Sequence, residues 1–147
     1  MHSSAASAAG LIDTSAILAI LEKGDEWHSA CLEALLSVRM PLLTTEAVFT
    51  ETFHLTGKNP HNIERAWGFV RSGALKICPM VEPDLLELHA LMAQYADRPM
   101  DFADATLVHL AARERLNTIL TVDHDDFETY RLPGRRRFTI LPQRRRS

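Results

Sequence analysis

Cysteine is nearly missing from this sequence. Cys31 and Cys78 are the only two, 47 positions apart and each in apolar surroundings, so no CxxC redox pair and no zinc knuckle can be assembled. Both read as reduced core thiols of a cytoplasmic protein. Glycine and proline total 13 of 147 residues and no heptad runs through the chain, which excludes collagen-like and coiled-coil structures. No apolar run approaches the roughly 20 residues of a bilayer span, so no membrane is expected as a partner. Met1 to Gly10, rich in Ala and Ser, lacks the basic start and hydrophobic stretch of a secretory signal and reads as a flexible tail. Also absent are the GxxxxGK[ST] phosphate loop, the GxGxxG fingerprint and the GxSxG nucleophile turn, which removes support for nucleotide-cradling and serine-nucleophile chemistry. The seven histidines show neither HExxH nor HxH spacing.

What remains is 46% apolar and 24% charged, enough for one globular domain, placed at residues 11–142 between tails at 1–10 and 143–147. The net charge of −3 conceals a split: up to Thr129 there are 9 basic and 19 acidic residues, and from Tyr130 onward 7 arginines and no acid. Arginine supplies 13 of the 16 basic residues, and its fork suits phosphate better than the point charge of lysine. Such a split serves either a polyanion partner or a solvated end.

Short apolar strands alternate with helices. A first strand ends at Leu11-Ile12, helices are predicted over 15–23 and 26–38, and Pro41 to Thr45 reads as a strand. A helix over 46–56 is stopped by Gly57, and Pro60 opens another with Ile63, Ala66, Trp67 and Val70 at helical spacing. Ala74 to Cys78 is a strand. Pro83 opens a helix whose stripe of Leu85, Leu88, Leu91, Met92 and Tyr95 is expected inside. A helix over 102–115, a strand over Thr118 to Val122 and a last strand over Phe138 to Leu141 complete an α/β fold with a mainly parallel sheet of four to five strands, flanked by helices.

Carboxylates then stand in unusual places. Asp13 directly follows the first strand and Asp123 the strand over 118–122, at the sheet edge where open parallel sheets bind ligands. Each could equally be a turn or cap residue. Glu51 shares a helical stripe with Val48 and Leu55, which turns a carboxylate toward the core. Asp101 is a natural N-cap, and Asp104 three residues on completes a loose capping box, yet Asp104 also shares a face with Val108 and Ala111. Four inward carboxylates from four elements would repel one another unless a cation sat among them, and all-oxygen ligation selects Mg²⁺ or Mn²⁺ over zinc. His124 beside Asp123 reads first as a turn residue, and Asp126 as an outer carboxylate or a cap.

Taken together, Leu11-Ile12-Asp13-Thr14-Ser15, Thr44-Thr45-Glu46-Ala47-Val48 leading to Glu51, Asp101-Phe102-Ala103-Asp104-Ala105, and Leu120-Thr121-Val122-Asp123 with Asp126-Phe127 resemble a PIN-domain ribonuclease, more narrowly the VapC toxins of toxin-antitoxin modules. The resemblance spans roughly Gly10 to Pro142. It places metal-binding and catalytic acids at Asp13, Glu51, Asp104 and Asp123. Asp101 and Asp126 match carboxylates that only some members carry, Thr14 and Ser15 match the polar pair that follows the first acid and helps orient the site, and Thr121, in the Thr-x-Asp that leads to the fourth acid, counts as an auxiliary residue. It implies a Mg²⁺- or Mn²⁺-dependent endoribonuclease that leaves a 5′ phosphate and a 3′ hydroxyl, a homodimer, and an antitoxin covering the acidic groove. Arg135, Arg136 and Arg137, with Arg144 to Arg146, are more basic than the family pattern requires, and RNA phosphates are one partner that suits them. Three other readings stay open: a PIN nuclease of RNA maturation or DNA repair without an antitoxin, a non-catalytic module binding a cation or basic peptide, and an HD-type phosphohydrolase through His124-Asp125, which lacks the further histidines.

Overall fold

The computed structural model describes residues 8–144. Five three-residue strands, β1 (Gly10–Ile12), β2 (Leu42–Thr44), β3 (Leu75–Ile77), β4 (Thr118–Leu120) and β5 (Thr139–Leu141), pair in the order β3-β2-β1-β4-β5, and every pairing is parallel. Parallel strands need crossovers, and the helices supply them. α1 (Thr14–Leu21) and α2 (His28–Ser37) lead from β1 to β2, and α3 (Glu46–Thr56) and α4 (Pro60–Arg71) from β2 to β3. α5 (Glu82–Gln94) and α6 (Phe102–Glu114) carry the chain back across the sheet to β4, and α7 (His124–Thr129) leads to β5. The strands are apolar along their whole length because both faces are covered: Leu11, Ile12, Leu42, Leu43, Ile119 and Leu120 are all fully buried.

The winding direction reverses between β1 and β4. The carboxyl ends of those two neighbours therefore flank the crevice where such sheets bind ligands. At the start of the pair, a methyl group on Gly10 would sit 2.4 Å from the Thr118 carbonyl oxygen. Only glycine fits there without moving a strand.

The expected architecture is present, with differences of detail. Gly10 opens β1 and Ala8 is already buried, so the domain begins before residue 11; residues 1–7 of the expected tail, and Arg145 and Arg146, lie outside the described residues. His124 to Thr129, read as a turn, forms α7. On α5 the expected stripe is rotated: Leu88 and Tyr95 are buried and Leu91 and Met92 partly so, but Leu85 is exposed. Trp67 is also exposed, its ring packing at a tilt against Phe49 and Phe53. Among the described residues no helix is long and apolar enough to cross a membrane.

Candidate active site at the carboxyl edge of the sheet

Asp13 leaves β1 in an extended conformation and caps α1, its Oδ1 accepting the Thr14 N–H at 2.8 Å. A cap alone would leave the carboxylate at the surface, whereas Asp13 is 1% exposed. Its Oδ2 accepts the Thr121 hydroxyl at 2.8 Å and lies 3.4 Å from Ser15 Oγ. Ser15 and Thr121 are themselves 3.1 Å apart, Ser15 Oγ accepts the Val122 N–H, and Thr121 Oγ1 accepts the Asp123 N–H. The cap, sequestered carboxyl and neighbouring loop thus form one network across the ends of β1 and β4. Thr14 does not join it: its hydroxyl faces the Val48 carbonyl at 3.4 Å and ties α1 to α3.

On α6, Asp101 is the N-cap and accepts the Asp104 N–H at 2.8 Å. The expected reciprocal half of the capping box is not formed. The buried Asp104 carboxyl instead accepts the Tyr130 hydroxyl at 2.7 Å, which aims it at the crevice. Glu51 is half-buried rather than core-facing. The buried face of α3 is Val48, Phe49 and Thr52, and Leu55, expected inside, is 57% exposed. Glu51 lies on the flank of that face and opens into a cleft with Asp101 and Phe102.

The electrostatics show which acids face one another. Burial pushes the Asp13 carboxyl well above its ordinary range, and the charge of Asp104 and then Asp123 adds to the rise. Burial likewise pushes Asp104 up to about 7, opposed by the Tyr130 hydrogen bond and reinforced by Asp101, Asp126 and Asp123. Asp123 is raised by burial, against the pull of its contact with Asp13, and further by Asp126, Glu51 and Asp101. Among the described residues no ion pair reaches Asp13, Glu51, Asp101, Asp104 or Asp123. Asp126, expected as an auxiliary outer carboxylate, is paired with Arg98 at 3.0 Å.

Oxygen-only donors carrying uncompensated charge fit a hard divalent ion. Among the described residues no three His, Cys, Asp or Glu side chains are already closed into a coordination cluster. Like charges with no counter-ion are expected to stand apart in that way.

Other expectations resolve elsewhere. His124 is buried, its Nε2 lies 2.8 Å from the Pro142 carbonyl and its ring packs on Trp27, so it is a core residue. Arg135 lines a cavity with Glu87 and Val108, Arg136 donates to the Pro133 carbonyl, and Arg137 lines a cavity with Glu128 and Phe138; none lines the acidic crevice. Arg98 and Arg144 do, in a polar cleft of about 520 Å³ shared with Asp123 and Asp126. Arg98, 25 residues from Asp123 and in a connection between helices, carries no local signal that sequence reasoning could have used.

A buried carboxylate network at the switch point of a β3-β2-β1-β4-β5 parallel sheet defines a class. The chain belongs to the PIN domain family, whose pattern matches residues 10–132. Within that family it is VapC-like. It is 30% identical over 135 residues to Ribonuclease VapC26 of Mycobacterium tuberculosis (strain ATCC 25618 / H37Rv), a match covering 90% of this chain and 99% of that protein. Its fold is that of M. tuberculosis VapC20, a toxin that cleaves the sarcin-ricin loop, with a TM-score of 0.70 at 18% identity over 79% of this chain and 91% of that one. It is likewise that of VapBC2 from Rickettsia felis, solved bound to a promoter DNA fragment, with a TM-score of 0.63 at 14% identity over 89% and 97% of the two chains.

Proposed function

We propose that this protein is a divalent-metal-dependent endoribonuclease acting as the toxin of a toxin-antitoxin pair. The observation that carries the chemistry is the burial of Asp13 and Asp104 beside Asp123 with, among the described residues, no cationic side chain paired to any of them. Stability alone gives no reason to keep such a set, since each carboxyl must hold a proton or be repelled. A bound Mg²⁺ or Mn²⁺ supplies charge neutralisation on the phosphodiester and a water of lowered pKa for in-line displacement.

Asp13, Asp104 and Asp123 are the residues that would hold the ion. Thr121 and Ser15 fix the Asp13 carboxyl from the β4 side, and the Tyr130 hydroxyl fixes that of Asp104. Glu51, half-buried on α3 with its charge acting on Asp123, would position the attacking water or hold a second ion. Asp101 serves by capping the helix that carries Asp104. The expected products carry a 5′ phosphate and a 3′ hydroxyl. Arg135, Arg136 and Arg137 are assigned to RNA phosphates outside the crevice, and the protein is read as a cytoplasmic homodimer held inactive by its antitoxin. The relatives' names support the nuclease and toxin readings, and the antitoxin is supported by the VapBC2 assembly.

The test is cleavage of a pool of structured RNAs by purified protein freed of copurified peptide, in Mn²⁺, in Mg²⁺ and in EDTA, beside Asp104→Asn. Cuts that require metal and vanish in the variant are expected. Wild-type turnover by Asp104→Asn would overturn the assignment, and no cleavage by the folded parent would favour a cation- or peptide-binding module.

A further inference from the structure

The acidic crevice opens on two sides of different chemistry. On one side lies the polar cleft edged by Arg98 and Arg144. On the other, between α3 and the start of α6, is a cleft of about 500 Å³ walled by Ala47, Ala103 and the ring of Phe102, with Thr50, Glu51 and His54 at its edge. We propose that this second cleft is a nucleobase slot in which Phe102 stacks on the base of the nucleotide adjoining the scissile phosphate. The inference rests on the nuclease reading above.

Phe102 is the first residue of α6 and is 48% exposed, although the Asp101 cap and the buried Asp104 on either side need no aromatic between them. Among the described residues its ring meets no other ring, in contrast to Phe49, Phe53 and Trp67 nearby, which pack on one another. Half in water, within two residues of a candidate ligand and lining a mostly apolar cleft, the ring offers a stacking surface beside the acids. The two alanines and the phenyl ring give the cleft an apolar lining of small and planar side chains, which suits a planar ring.

The position of the slot names the occupant. It shares Glu51 and Asp101 with the acid set, and the charges of both act on Asp123. A phosphodiester seated at Asp13, Asp104 and Asp123 therefore adjoins the slot through Glu51 and Asp101, and through Asp123 and Asp126 it adjoins the cleft edged by Arg98, paired with Asp126, and Arg144, paired with Asp125 and Glu128. The backbone of a strand crossing the crevice runs toward the arginines, and one base turns into the slot. Aromatic stacking accepts any base through its face, while the Thr50 hydroxyl, the Glu51 carboxylate and the His54 ring can select among base edges. A base so held cannot be paired, so the slot admits only single-stranded or unstacked RNA.

The test uses the full-length protein and a hairpin oligoribonucleotide spanning a cut site mapped from the RNA pool. Stacking of this kind changes kcat/KM by between about 5- and 150-fold. Phe102→Ala is expected to lose activity within that range, Phe102→Leu nearly as much, and Phe102→Trp to retain it, with all three melting like the parent. Replacing the nucleotide on one side of the cut by an abasic residue is expected to cost the parent the same factor and to cost Phe102→Ala nothing more. Independent, multiplying losses from the variant and from abasic residues at both sides would overturn the slot, as would full activity of Phe102→Ala. A change of oligomeric state in Phe102→Ala with unchanged turnover would assign the face to a protein contact instead. Absence of RNA cleavage by the parent would overturn the nuclease reading and the slot with it.

Discussion

Asp84 and Asp104 occupy the same place on two consecutive helices. Each is the third residue of its helix, α5 and α6, and they are 8% and 7% exposed. Their surroundings differ completely. The Asp84 carboxyl meets His109 Nε2 at 2.7 Å, Arg113 Nη1 at 3.1 Å and the Val81 N–H at 2.8 Å, and these hold it below the usual carboxylate range, His109 contributing most. Asp104 has one neutral hydroxyl and three acidic neighbours, and is pushed up to about 7. A carboxylate kept for the fold comes with its cations built in. One left without them is destabilising until something outside the chain supplies the charge.

The largest expected effect separates the two directly. Asp104→Asn should lose metal-dependent RNA cleavage by on the order of 10³-fold or more, yet in EDTA at pH 7.5 it should melt higher by roughly 2 to 8 °C, because repulsion and an imposed proton are removed. Asp84→Asn should do the reverse, keeping turnover and melting lower. Equal stability changes of the same sign, read by thermal unfolding, would dissolve the distinction.

Next in size is the metal and pH dependence of stability. Because the folded-state pKa of Asp104 is raised from 3.8 to about 7, the native protein keeps a proton that the unfolded chain releases, and stability falls as pH rises through that window. In EDTA the melting temperature should decline between about pH 4 and pH 7 in the measure set by that shift, and Mn²⁺ at about a hundred times its dissociation constant should restore roughly 2.7 kcal/mol at the upper end. Melts across pH with and without Mn²⁺ check this. A profile unaffected by Mn²⁺ would remove the cation from the site.

Smaller again is His109→Leu, which strips Asp84 of its foremost partner. It should cost about 1–2 kcal/mol in urea unfolding, with cleavage intact. Smallest is Tyr130→Phe. The hydroxyl it deletes lowers the Asp104 pKa, so the acid limb of the rate–pH profile should move to higher pH and activity at neutral pH should drop by a few-fold, about 1 kcal/mol or less. An unmoved profile would show that Tyr130 only packs.

The same pair of regions marks where sequence reasoning succeeds. The places of Asp13, Asp104 and Asp123 in the fold are legible because each stands at a strand end or a helix start, positions that local signals locate. The Asp84 cluster was not, since His109 and Arg113 lie 25 and 29 residues away and meet it only through packing of α5 on α6. The rotation of α3 has another cause. Thr52 can enter the core because its hydroxyl donates to the Val48 carbonyl at 2.8 Å, so a polar residue faces inward while Leu55 faces out. Hydropathy ranks those two residues the opposite way. His124 was misplaced for the same kind of reason: its chain neighbours are acids, but its partners are Trp27 and the Pro142 carbonyl.

Gly10 carries no functional group, yet the approach of β1 to β4 at their amino ends depends on it. The network from Asp13 through Thr121 to the Asp123 amide spans the same two strands at their other, carboxyl ends. A methyl added three residues upstream of the first acid would wedge the strands apart and widen the gauge on which that network is strung. The chemistry of the crevice is therefore calibrated by a hydrogen atom, at a position where an experimenter searching for reactive side chains would have no reason to look.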